Sequence, residues 1–188
     1  MVFILKDSDS VWMAASAENT PIGVHMGDLH SEENSKMWRP LGAQDTIMAS
    51  AATDRMTDVL RYADFAAFDA PLTQTSLIRN IIPTAKALLR DKKQLNGEHF
   101  WFEIAIAKGD KAFVVKLPGT VLNVDTFDVL GHSSSTEIIF GAAHLYRDLP
   151  PVERIAEIFR AVERTSRAGH FPIVIMNTKN KDRIVIEQ

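Results

Sequence analysis

The sequence predicts an α+β chain folded as a four-layer αββα sandwich, two antiparallel sheets packed face to face with a helix pair outside each. Three observations predict it. Short apolar runs of strand character alternate with stretches of helical period in the order four strands, two helices, about four strands, two helices, two strands. Within each group, turn residues separate the strands closely enough for hairpins. No internal repeat, low-complexity tract or Pro/Ser-rich linker divides the 188 residues, so a single domain is expected over 1–188.

Val2 to Leu5 and Val11 to Ala15 are apolar runs joined by the polar Lys6-Asp7-Ser8-Asp9-Ser10, a strand, turn and strand. After a polar loop from Glu18 to Ser35 with Pro21, Gly23 and Gly27, Lys36-Met37-Trp38 and Thr46-Ile47-Met48-Ala49 read as a second strand pair. The period then changes. From Thr53 to Phe68, Met56, Val59, Leu60, Ala63 and Ala67 fall at helical spacing, with Thr53 or Asp54 available as a cap. A second helix is expected from about Gln74 to Leu95, its apolar face carrying Leu77, Ile78, Ile81, Ile82, Ala85, Leu88 and Leu89. Pro83 should kink or break it, because proline lacks the backbone donor and crowds the preceding turn.

Strands are expected again at Phe100 to Ala107, Ala112 to Leu117, Val121 to Val124 and Phe127 to Leu130, as an antiparallel meander with Lys108-Gly109-Asp110-Lys111, Pro118-Gly119 and Asp125-Thr126 as turns. Helices follow at about Ser135 to Tyr146 and Pro151 to Ala168, the second with Pro151 in its first turn and Gly169 past its end. The last strands are Ile173 to Met176 and Arg183 to Ile186. Trp38, Phe100, Trp101 and Phe102 are expected in the core or at a subunit contact. The run Phe100-Trp101-Phe102 in one strand would need cover on both faces, which favours assembly.

Composition excludes several functions. With 46% apolar residues the chain can bury a substantial core. Its 21 basic and 24 acidic residues are mixed along the chain for a net charge of −3, which offers no footprint for nucleic acid or an anionic membrane. Neither partner is expected. The absence of cysteine excludes disulfides, thiolate metal sites and a cysteine nucleophile. No apolar run approaches the roughly 20 residues that span a bilayer, and no charged-then-apolar leader precedes the first strand, so a cytoplasmic location is expected. His25, His30, His99, His132, His144 and His170 include no pair at tight metal-ligand spacing; His25 and His30 share a polar loop with Asp28, Glu32 and Glu33 that reads as solvated. No metal and no cofactor are expected. His132 beside Ser133 would be a weak base and nucleophile pair, since neighbours on a strand face opposite sides.

Several segments together resemble the β-type subunits of the proteasome and their bacterial relatives, among the N-terminal nucleophile hydrolases. The stretch from Val2 to Ser16, ending Ala14-Ala15-Ser16, looks like the first hairpin, which in the family usually ends Ala-Ala-Asp. Lys36-Met37 looks like the Lys-Ile step after the long loop, and Ala49 to Tyr62 like the small-residue turn leading into the first helix. Gly131-His132-Ser133-Ser134-Ser135 stands where the family has Gly-Ser-Gly, and Arg164 to Gly169 where it has Arg-Asp followed by Ser-Gly. The resemblance covers nearly the whole chain, and the element order carries more of it than any one motif.

What the resemblance implies for chemistry is mixed. In active members an N-terminal Thr hydroxyl attacks a carbonyl, the free α-amine takes its proton, a Lys assists, and an Asp holds that Lys charged. Lys36 matches the Lys. Matching Lys6 and Ala14-Ala15 places the missing Thr one position ahead of Met1, and a slip of one residue in the first turn would place it at Met1 itself. Neither Met1 nor Val2 has an attacking atom. Ser16 stands at the supporting Asp, Ser133 or Ser134 at the family's Ser before the third helix, and Thr165 and Ala168 at the late Asp and Ser. Simpler roles exist for two of these: a solvated lysine at a strand start for Lys36, and a helix N-cap, able also to receive an anion, for the serines 133 to 135.

Two functions follow as expectations. One is a proteasome-like subunit of a stacked-ring homo-oligomer, impaired or inactive in hydrolysis, with a scaffold, chamber or binding role and a peptide or protein as its ligand. The other is an active threonine-type peptidase or amidase whose true N-terminus or nucleophile differs from the chain as written.

Overall fold

The computed structural model describes residues 1–16, 36–40, 42–43, 45–51, 54–63, 71–92, 103–116, 119–131, 135–166 and 171–187. Within them run β1 (Val2–Lys6), β2 (Val11–Ser16), β3 (Met37–Trp38), β4 (Thr46–Ala51) and helix α1 (Asp54–Arg61). Helix α2 begins as Gln74–Ser76, widens over Leu77–Ile81 and continues as Ile82–Asp91. Then come β5 (Glu103–Lys108), β6 (Lys111–Lys116), β7 (Thr120–Asn123), β8 (Phe127–Leu130), α3 (Thr136–Leu145), α4 (Pro151–Ser166), β9 (Ile173–Asn177) and β10 (Arg183–Ile186).

Side-chain alternation along the strands builds the layers. One sheet has the order β10-β9-β2-β1-β8 and the other β3-β4-β5-β6-β7, all neighbours being antiparallel. In β1, Val2 and Ile4 face the second sheet while Phe3 and Leu5 pack on α3 and α4. In β5, Ala105 and Ala107 face the first sheet while Ile104 and Ile106 pack under α1 and α2. Strands β6 and β9 split the same way. Three buried layers between four layers of structure result, which is the αββα sandwich. The layer between the sheets is rich in alanine, from Ala15, Ala49, Ala105, Ala107 and Ala112, whereas the outer layers carry Trp38, Leu77, Leu89, Phe3 and Phe159.

The elements differ from expectation at identifiable points. Phe127–Leu130 does not continue the meander. It crosses to the other sheet and pairs with β1, Val2 opposite Leu130, while the Lys6 N–H donates to the Thr126 carbonyl at 2.7 Å. The Asp125-Thr126 bend is therefore a crossover between sheets, a distinction that turn chemistry alone does not carry. Pro83 does not break α2; the turn ahead of it opens into a π-turn, which relieves the clash between the proline ring and the carbonyl of Arg79. Thr73 caps the helix start, its hydroxyl accepting from the Ser76 N–H at 3.1 Å while the Ser76 hydroxyl accepts from the Thr73 N–H at 3.1 Å. Ser135 stands at the N-cap of α3 but its side chain makes no cap bond. Trp38 is in the core, 2% exposed. The helices end earlier than expected: α1 stops at Arg61, with Tyr62 and Ala63 beyond it already out of the helix, and α2 stops at Asp91, where Lys92 leaves the helical conformation. The Phe100-Trp101-Phe102 run and the loop with His25 and His30 lie outside the described residues.

At the end of the sandwich where β1 finishes, three turns are tied together. The buried Thr178 hydroxyl accepts from the Val11 N–H at 3.0 Å and donates to the Gly109 carbonyl at 2.6 Å. Arg39 donates to the carbonyls of Asn177 at 2.8 Å and Asn180 at 2.6 Å, and Lys179 pairs with Asp9.

Candidate functional site

The opposite end is the candidate site, and strand register determines what gathers there. Val2 lies between Ala15 and Leu130, so residue 1 lies at the level of Ser16 and Gly131. Across the gap, the Ser50 N–H donates to the Lys36 carbonyl at 3.1 Å, and Ala51, Glu103 and Lys116 lie side by side at the ends of β4, β5 and β6. The mouth thus assembles residue 1 and Gly131 from one sheet with Lys36, Ala51, Glu103 and Lys116 from the other.

The amino group of Met1 is hydrogen-bonded to the Lys36 side chain, and its pKa falls from the usual 8.0 to about 5. Burial is the largest cause, because a cation loses its hydration there; the positive charge of Lys36 and the hydrogen bond to it add to the effect. Near neutral pH the amine is uncharged and presents a lone pair. That is a base. The residue carrying it has a thioether, which has no proton to give up and attacks weakly.

Gly131 shapes the wall beside residue 1. Its φ of +86° lies in the left-handed region that side chains disfavour, and a methyl group added there would sit 3.3 Å from Ala51 Cβ and 3.9 Å from Met1 Cα. The Gly131 N–H donates to Glu103 Oε2 at 2.8 Å. Glu103 is 1% exposed, and its Oε1 lies 3.2 Å from the partly exposed Lys116 Nζ, an ion pair across the β5–β6 ladder.

Of the residues singled out in the sequence, the structure brings Lys36 to Met1 and sets Ser16 at the same level of the mouth. Thr165 is used otherwise: its exposed hydroxyl donates to the Ala161 carbonyl of its own helix at 2.8 Å. Ser133, Ser134 and His132 lie outside the described residues. Glu103 was missed. Its signal is a lone acid in the apolar run Glu103-Ile104-Ala105-Ile106-Ala107, in phase with the alanines that face inward. Among the described residues no group of three or more His, Asp or Glu side chains could hold a metal ion. No described helix is long and apolar enough to cross a membrane.

No protein-family model matches the chain, and no curated protein matches it. Solved structures do. Thiobacillus denitrificans BPH in complex with epoxomicin superimposes with a TM-score of 0.68 at 18% identity, covering 94% of this chain and 96% of that one. A second structure of Thiobacillus denitrificans BPH gives a TM-score of 0.65 at 18% identity over 94% and 96% of the two chains. Eukaryotic HslV from Trypanosoma brucei gives 0.58 at 12% identity over 94% and 97%. The chain shares the fold of these structures, two antiparallel sheets flanked by helices.

Proposed function

We propose that the chain is a β-type subunit of a proteasome-like, ring-shaped homo-oligomer that does not cleave peptides by itself and serves as a scaffold, chamber or binding component. The fold and its near-complete overlap with structures of this class support the subunit reading. One observation carries the loss of activity: the amino group of residue 1 and Lys36 are paired and uncharged at the amine, yet residue 1 is Met. Threonine-type hydrolysis needs a hydroxyl on the residue whose amine takes the proton. Here the base stands without that hydroxyl, and removal of Met1 would expose Val2, which has none either. Ser16 is neutral and cannot hold an ammonium by charge. A peptide or protein is the ligand such a chamber would take, and a cytoplasmic site of action belongs to the same proposal.

The amine–Lys36 pair also favours a second reading, an active peptidase or amidase whose mature N-terminus differs from Met1. The similarity to a protein whose structure holds epoxomicin is consistent with a site that takes a ligand. Intact mass and covalent labelling separate the two. A mass starting at Met1 or Val2, with no adduct from a hydroxyl-directed peptidase inhibitor, is expected. Peptide hydrolysis that is lost in Lys36→Ala but kept in Lys6→Ala would overturn the inactive reading. Sedimentation at micromolar concentration should show a ring-sized species, and a monomer there would contradict assembly.

A further inference from the structure

Glu103 is out of place on stability grounds. A carboxylate at 1% exposure carries a desolvation cost that an apolar residue in phase with Ala105 and Ala107 would avoid, and one partly exposed lysine offsets only part of it. Its other bond ends on a backbone N–H, that of Gly131, and that bond spans the two sheets. Gly131 in turn faces Ala51 and the Cα of Met1, so that a methyl group on it would lie 3.3 Å from Ala51 Cβ and 3.9 Å from Met1 Cα. The bond from Glu103 therefore bears on the wall that covers residue 1.

We infer that Glu103 is a positioning residue of the Met1–Lys36 site: its carboxylate holds the Gly131 turn over residue 1 and keeps water from the amino group. This rests on the reading of residue 1 and Lys36 as the functional centre. Among the described residues, the charged groups placed at that centre are Lys36 ahead of β3, Glu103 on β5 and, behind it, Lys116 on β6, with Ala51, Gly131 and Ser16 at the same level and the Met1 side chain packed on the outer core. The site thus has a buried carboxylate, supplied by β5 rather than by the positions of Ser16 or Thr165.

The test reads the amino group directly. Protein released from a fusion cleaved just ahead of Met1, its mass verified, is trace-labelled with acetic anhydride across pH, and the N-terminal peptide is quantified against an internal one. The wild-type reactivity should have its midpoint near 5. Glu103→Met, an apolar side chain of similar length, should raise the midpoint by about one pH unit or more, whereas Glu103→Gln, which keeps an acceptor oxygen, should hold it within about half a unit. A folded Glu103→Met with the wild-type midpoint overturns the inference alone. A wild-type midpoint near 8 overturns the Met1–Lys36 reading beneath it. Should Glu103→Met not fold, amide exchange in the wild type still decides: the Gly131 N–H should exchange at least about tenfold more slowly than in a free peptide, and unprotected exchange refutes the tether.

Discussion

Lowering the pH should weaken the fold through the amino group of Met1 in a window the structure specifies. The folded chain holds that amine at about 5, and the unfolded chain returns it to 8.0. Between these values the unfolded chain binds a proton that the folded chain does not, so stability is full above pH 8 and falls as pH drops toward 5. A gap of about 3, at about 1.4 kcal/mol for each pH unit, gives a loss of about 4 kcal/mol, an upper value because residue 1 is partly open to solvent. The comparison protein is the same chain acetylated at its α-amine, which cannot titrate there. Urea unfolding of both at fixed protein and salt concentration, at intervals from pH 9 to 5, gives a difference in stability that cancels the carboxylates common to both. That difference should be constant above pH 8 and shift against the unmodified chain below it. A difference that stays flat within about 1 kcal/mol down to pH 5.5 would refute the buried amine.

Two further outcomes follow from geometry. Thr178→Val keeps the shape but strands the Val11 N–H and the Gly109 carbonyl, so it should cost about 2–4 kcal/mol in urea unfolding, with Thr178→Ser retaining most of the stability. Gly131→Ala should lose about 1–3 kcal/mol, and more than Gly109→Ala, because both glycines have positive φ but only the methyl at 131 meets neighbours; equal losses would mean that the contact with Ala51 and Met1 is easily relieved.

The architecture was legible because the strands are covered on both faces and still alternate. Ile with Ala in β5, and Val or Ile with Phe or Leu in β1, mark two different cores on one strand. The sheet of β8 was not legible: Asp125-Thr126 suits a hairpin as well as a crossover, and pairing with β1 is decided by contacts far away in sequence. Lys36 could be identified through resemblance, since nothing in its own neighbourhood separates it from a surface lysine. Glu103 needed the register, because its meaning lies in Gly131, across the gap on the other sheet.

The alanines between the sheets have a reach beyond packing. Because Lys36 and Glu103 ride on one sheet and Met1 and Gly131 on the other, the thickness of that methyl-lined seam acts as a shim that gauges how far apart the two halves of the mouth stand. Enlarging Ala105 or Ala107 to Val would wedge the sheets and alter the meeting of amine and ammonium from a distance. A lineage could thus retune this mouth without changing any residue that lines it.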